Sequence, residues 1–227
     1  MTDDHPNSLL RRLAPGEKLR NTAIIGGRQE DDGRLAMAYI HAADILLERW
    51  KAHNWNDWLA LPILENYRHG IELALKDAIR SAASCVRREG FHELELQPKD
   101  LDDRLASTHS ISDLVTMLNG FLGRLSLGAG NKLDADTNEV LNSLHALDKH
   151  GQAFRYSTVK TGKGKHRKLV PARPDEQPFD LEAVAGALHS AGSLVLHGVS
   201  SVLEEHAQWQ HETREESEDE YGLYDEI

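Results

Sequence analysis

The chain of 227 residues contains one cysteine and no run of eighteen apolar residues, and each absence excludes a class of structure. A single cysteine, Cys85, cannot form an intrachain disulfide. Its alanine- and serine-rich surroundings are typical of a small buried residue, and a reactive thiol is the alternative. The N-terminus lacks a basic start followed by an apolar run, so we expect a soluble, cytoplasmic protein that does not insert into membranes.

The short motifs of cofactor and metal sites are missing as well. No phosphate loop, dinucleotide-binding glycine pattern or Gly-x-Ser-x-Gly elbow occurs in the sequence. The 13 histidines include no pair spaced three or four residues apart, and no cysteine lies near enough in sequence to complete a zinc motif. We therefore expect no cofactor and no bound metal.

Basic residues are missing from one long stretch of the sequence and concentrated in another. No Lys or Arg occurs between Arg173 and Arg214, although the chain carries 26 of them and a formal net charge of −11. Eight Lys or Arg and no acid lie from Lys149 to Arg173, whereas residues 212–227 hold eight acids and one Arg. This distribution predicts one compact basic patch on an acidic protein.

Apolar residues at intervals of three and four predict helices for most of the chain. The expected N-caps are Asn56 or Asp57 for the second helix and Ser110 or Ser112 for the third, and Gly90 is expected to end the second. We interpret residues 96–112 as turn-rich. The predicted helices cover residues 35–50, about 57–88, 112–125, 134–150 and 178–209.

After Gly151 the apolar period changes to two, which predicts a β-hairpin at residues 152–173 whose turn is supplied by Gly162 and Gly164. The fold class is therefore mainly α, a bundle of about five helices with a basic β-hairpin. We expect a loosely ordered N-terminal arm, a single helical domain and an acidic disordered tail. Their respective ranges are 1–28, 29–211 and 212–227.

Three stretches carry a family resemblance: "PILENYRHGIELALK", "STHSISDLVTML" and "HALDKHGQAFRYSTVKTGK". In order and spacing they resemble HEPN-like proteins, from about residue 35 to 205. The resemblance implies a helical bundle, frequent homodimerisation and a prokaryotic role in RNA metabolism, toxin–antitoxin pairs or phage defence, with a protein partner encoded nearby. The final helix, which is uncharged between Glu182 and Glu204, is then either a central bundle helix or a dimer seam.

Many HEPN-like domains are metal-independent ribonucleases that use an Arg followed four to six residues later by a His in the last helix. The last helix of this chain has no Arg, so that pair is missing there. Arg104 and His109 have the spacing elsewhere, although 16 Arg and 13 His give such spacings by chance. The leading expectation is a non-catalytic RNA-related or defence-associated binding and interaction module, and the alternative is a ribonuclease with a displaced Arg/His site.

Ionisable side chains occupy the second predicted helix, where leucine spacing otherwise indicates burial. Glu72 lies beside Leu73 and Leu75, and a buried carboxylate requires partners. We expect Arg155 to pair with it and His69 or Tyr156 to complete the hydrogen bonds, so that a polar network docks the hairpin on the bundle. The alternative is a phosphate or nucleotide pocket built from Arg68, His69, Arg155 and Tyr156. The helix contributes Arg68, His69, Glu72 and Lys76.

The hairpin turn "KTGKGKHRK" holds five cations in nine residues. Such a segment can neutralise several phosphates of RNA or another nucleic acid, and a solvated lysine-rich turn is the plain alternative. A third possibility is that the acidic tail covers it. The cations are Lys160, Lys163, Lys165, Arg167 and Lys168.

Overall fold

The computed structural model of the protein describes residues 30–52, 57–161 and 168–222, without the side chains of residues 129 and 216–222. It confirms a mainly α-helical fold with a small antiparallel β-hairpin. The predicted N-terminal arm, the predicted N-cap Asn56 and the hairpin turn with Gly162 and Gly164 lie outside the described residues.

Several helices begin at a capping side chain. Ser110 accepts a hydrogen bond from the main-chain N–H of Asp113, as predicted, and Gly90 ends the second helix with a φ of +92°. A 3₁₀ turn at Asp57–Leu59 precedes the second helix, so Asp57 is not its N-cap. The helices are α1 Asp32–Lys51, α2 Ala60–Arg88, α3 Pro98–Ser107, α4 Ile111–Leu122, α5 Ala135–Leu147, α6 Leu181–Ser193 and α7 Ser200–Gly222.

Helix α2 is the centre of the bundle, since α1, α4, α6 and α7 all contact it. Its backbone packs against α1 at Gly70, where a Cβ would lie 2.8 Å from Ile40 Cγ1. The glycine therefore lets the two helices pack closely. Because α2 is covered on several sides, any polar side chain along it must find partners inside the protein.

Two sequence-based predictions about helices were wrong. The stretch interpreted as turn-rich contains α3, because Pro98 begins the helix and Leu101 and Leu105 lie on one buried face. The acidic tail predicted from residue 212 is helical as far as Gly222. Contacts one turn apart accompany this extension, including His211 Nδ1 at 3.5 Å from Glu215 Oε2.

The hairpin pairs β1 (Thr158–Thr161) with β2 (Lys168–Pro171) in antiparallel register, with Val159 opposite Val170. The final predicted helix is continuous but changes character, since a π-helical segment at Leu194–Val199 joins α6 to α7. Within the described ranges, no helix has an apolar stretch long enough to cross a bilayer.

Candidate functional site

Three charged side chains of α2 form a buried row. Glu72 Oε2 accepts a hydrogen bond from Arg68 Nη1 at 2.8 Å, and Glu72 Oε1 accepts one from Lys76 Nζ at 2.9 Å. The side chains are 0%, 4% and 9% exposed in the order Arg68, Glu72, Lys76. Spacing of four residues places each neighbour one helical turn away, which is why a single carboxylate can hold both cations.

His109 joins this row from the loop between α3 and α4. Its Nδ1 lies 2.9 Å from Glu72 Oε1, and its carbonyl oxygen accepts a hydrogen bond of 2.6 Å from Arg68 Nη2. Ser110 then caps α4, so ring and main chain of His109 are both anchored. The imidazole remains 57% exposed although its carboxylate partner is buried.

A tight turn after α5 closes over Arg68. Asp148 Oδ2 lies 3.1 Å from Arg68 Nε, and Asp148 Oδ1 accepts hydrogen bonds from the main-chain N–H groups of Gln152 and Ala153. Gly151 adopts a φ of +69°, and a Cβ there would lie 2.9 Å from Arg68 Nη2. Sequence reasoning missed Asp148, although Gly151, four residues after the end of α5, is a recognisable turn signal.

A small polar hollow opens above these buried charges. Its volume is about 120 Å³, and a second hollow of about 320 Å³ shares His109 and His150 with it. Lys149, Ser110 and Asp113 belong to the second hollow. We call the two hollows together the polar cleft. The smaller hollow is lined by Arg68, Glu72, His109, His150, Gly151, Gln152, Arg155 and Tyr156.

The predicted pairing of Arg155 with Glu72 was wrong. Arg155 donates from Nε to Glu65 Oε1 instead. Glu65 lies two turns before Glu72 on α2, while the Glu72 carboxylate is already occupied by Arg68, Lys76 and His109. Arg155 and Tyr156 nevertheless line the same cleft as Glu72, and the Tyr156 side chain is exposed.

The pKa values reflect these contacts. Burial alone raises the pKa of Glu72, but hydrogen bonds from Lys76, His109 and Arg68 outweigh it and lower the pKa from 4.5 to about 2. Burial lowers the pKa of His69, whose ring packs edge-on against Tyr39 with the ring centroids 4.4 Å apart. Glu72 is therefore ionised at neutral pH. The His69 side chain does not line the polar cleft.

The remaining predicted site residues are not brought into this cluster. Arg104 lies exposed near the end of α3, and no contact between its side chain and His109 occurs in the described part of the chain. Lys160 and Lys168 are exposed on the two hairpin strands. Lys163, Lys165 and Arg167 lie outside the described residues. No group of three or more His, Cys, Asp or Glu within the described ranges is placed to hold a metal ion.

A second carboxylate–histidine pair lies between α1 and α6. Asp44 Oδ1 accepts a hydrogen bond of 2.6 Å from the Tyr67 hydroxyl and lies 3.0 Å from His189 Nδ1. Both members are partly exposed, with Asp44 at 34% and His189 at 48%. The pair borders a mostly apolar hollow of about 350 Å³ that is distinct from the polar cleft.

Comparison of the chain with protein-family models, with curated proteins and with solved structures finds no match. The resemblance to HEPN-like proteins and the predicted homodimer therefore stay predictions.

Proposed function

We propose that the protein is an HEPN-like, RNA-related binding module that takes up the phosphate backbone of RNA in the polar cleft. The observation that carries the proposal is the composition of the cleft. Its lining includes Arg155, Lys149, His109 and His150, and beneath them lies a cluster of buried charged side chains whose charges cancel. Guanidinium, ammonium and imidazole groups are the side chains that proteins use to hold phosphates.

The buried charges support this function by holding the cleft rigid. Of the cations above them, Arg155 pairs with Glu65 and His109 contacts Glu72, whereas Lys149 and His150 have no ion-pair partner among the described residues. Arg68 and Lys76 contribute two positive charges, and Glu72 and Asp148 contribute two negative charges. Because two positive and two negative charges lie together, the buried cluster adds little net field of its own. Attraction for an anion then comes from the rim, where Asp113 and Glu65, the partner of Arg155, are opposing acids.

The hairpin extends this surface along the chain. Arg155 and Tyr156 directly precede β1, which carries Lys160, and Lys168 follows on β2. The exposed Tyr156 ring offers a face on which a base can stack, and the lysines can contact successive phosphates. A role in defence or in a toxin–antitoxin pair rests on the family resemblance.

Fluorescence anisotropy with a labelled 12-nucleotide RNA tests the binding function. We expect Arg155→Ala to weaken binding at least about fivefold at low salt and to reduce the salt dependence by about one phosphate contact. Arg49→Ala is the matched control, since it removes one exposed cation from α1. Equal losses in the two variants, or no binding by the wild type at low salt, would contradict the proposal.

A second candidate function is metal-independent cleavage of RNA, and the Glu72–His109 contact favours it. A carboxylate on Nδ1 orients the imidazole and leaves Nε2 as the proton acceptor. His109 would remove the proton from a 2′-hydroxyl, whose oxygen attacks phosphorus. His150 would protonate the departing 5′-oxygen, which leaves a 2′,3′-cyclic phosphate.

Incubating RNA with the protein in EDTA separates binding from cleavage. If the second candidate holds, cyclic-phosphate products form, and His109→Ala and His150→Ala each reduce the rate at least about 100-fold. His41→Ala, an exposed histidine on α1, is the control. Binding without products would leave the protein as a non-catalytic module. Products that persist in both cleft variants would show that the polar cleft is not the site of cleavage.

A further inference from the structure

A long apolar groove lies between α5 and α6 and continues under the segment that joins β2 to α6. It consists of hollows of about 320 Å³ and 850 Å³ that share Leu147 and Val184 as lining residues. None of its lining residues belongs to the polar cleft. We call it the α5–α6 groove.

Aliphatic and aromatic side chains make up most of the groove lining, and the polar lining residues are Asp136, Glu139, Ser143, Arg173, Asp175, Glu176 and Gln177. Leu144 and Leu188 lie at the bottom with 1% and 4% exposure, whereas Leu147 is 56% and Phe179 51% exposed. Two large apolar side chains left half in water beside a hollow of this size are typical of a binding groove. Covering them would remove apolar surface from water and stabilise a complex.

Charge around the groove has one dominant sign. Asp136 and Glu139 line one end, and Asp175 and Glu176 line the other. None of these four acids has an ion-pair partner among the residues that the structure describes. The one lining cation, Arg173, donates to the carbonyl oxygens of Ala153 and Tyr156, so its charge is directed at the main chain.

We propose that the α5–α6 groove binds an amphipathic helix of a partner protein, with large apolar residues on one face and Lys or Arg beside them. A groove beside two helices suits a third helix, because the apolar side chains of that helix can enter it at i, i+3, i+4 and i+7. α5 has 13 residues, so the wall is about 20 Å long and accommodates three to four turns. The four acids select basic flanks and disfavour acidic ones.

Selection of a phage-displayed library of random 16-residue peptides on the full-length protein tests this proposal. We expect enriched peptides to carry a net positive charge and at least two large apolar residues at helical spacing. Synthetic versions should lose at least about tenfold in affinity for Leu147→Glu. Glu139→Lys should weaken binding a few-fold, with the difference shrinking as salt increases.

Ile45→Glu is the matched control, because Ile45 on α1 is as exposed as Leu147, at 56%, and lies outside the groove. Its affinity for the peptides should match the wild type within about twofold. The proposal is overturned if no peptide is enriched, if the enriched peptides are neutral or acidic, or if Leu147→Glu binds them as well as the wild type. RNA binding is expected to be unchanged in Leu147→Glu, so failure here is distinguishable from failure of the proposed function.

Discussion

The Glu72–His109 and Asp44–His189 pairs have nearly the same geometry but differ in burial. Glu72 lies 2.9 Å from His109 and Asp44 lies 3.0 Å from His189. The Glu72 side chain is 4% exposed and has Arg68 and Lys76 as additional charged partners, whereas Asp44 is 34% exposed and receives one neutral hydroxyl. We infer that the buried carboxylate of the Glu72–His109 pair needs more charged partners than the partly exposed one does.

The same difference separates the two histidines as functional groups. His109 is held by an acid that water scarcely reaches, and it lines a cleft with Lys149, His150 and Arg155. His189 is held by a partly hydrated acid beside an apolar hollow. A fixed imidazole among cations suits contact with a phosphate, which is why the first pair and not the second underlies the proposed function.

The largest effect that can test this comparison is removal of either carboxylate. We expect Glu72→Ala to lower the free energy of unfolding by about 3–5 kcal/mol, because Arg68 and Lys76 lose a buried counter-charge. Asp44→Ala should cost about 1 kcal/mol, since water can replace part of its contacts. Urea denaturation of both variants measures this. Similar losses in the two would refute the assigned role of burial.

A pH titration of stability gives the next largest effect. The pKa of Glu72 falls from 4.5 to about 2 on folding, so its ionised contacts stabilise the protein above pH 4.5 and are lost as pH falls towards 2. The stability difference between wild type and Glu72→Gln should therefore shrink by about 3 kcal/mol over that range. A difference that stays constant from pH 5 to pH 2 would argue against a strongly lowered pKa.

Two glycines with positive φ test how tightly the turn closes over Arg68. Gly151→Ala combines a φ of +69° with a Cβ 2.9 Å from Arg68 Nη2, and we expect a loss of about 2–3 kcal/mol. Gly128→Ala has a φ of +60° but no atom within 4 Å of the added Cβ, so about 1 kcal/mol is expected. Thermal unfolding of the two variants should preserve this order.

The smallest predicted effect concerns the partly exposed pair. Tyr67→Phe removes the 2.6 Å hydrogen bond to Asp44 and should cost about 1 kcal/mol. In the double variant with Asp44→Ala, most of that cost should disappear, because the two residues act through one contact. Fully additive losses in a double-mutant cycle would show that the hydroxyl stabilises the protein in another way.

The sequence predicted the described helices except α3, and it predicted the need for partners around Glu72, because leucine spacing and the cost of a buried carboxylate can be judged from neighbouring residues. It did not predict which partners, since these come from turns whose positions depend on packing. α3 was missed because Pro98 and several aspartates are also typical of turns. Without α3 in the prediction, the position of His109 beside α2 could not be predicted. Arg155 was predicted to pair with Glu72, whereas it pairs with Glu65, which lies on the same face of α2 two turns earlier.

Nuclear magnetic resonance of the histidine rings during titration with the 12-nucleotide RNA tests most directly the claim that RNA binds in the polar cleft. The ring signals of His109 and His150 should shift together and saturate with the affinity found by anisotropy, whereas those of His189 and His206, which pair with carboxylates elsewhere, should stay unchanged. RNA that binds without moving the His109 and His150 signals, or that shifts His189 instead, would show that the polar cleft is not the binding site.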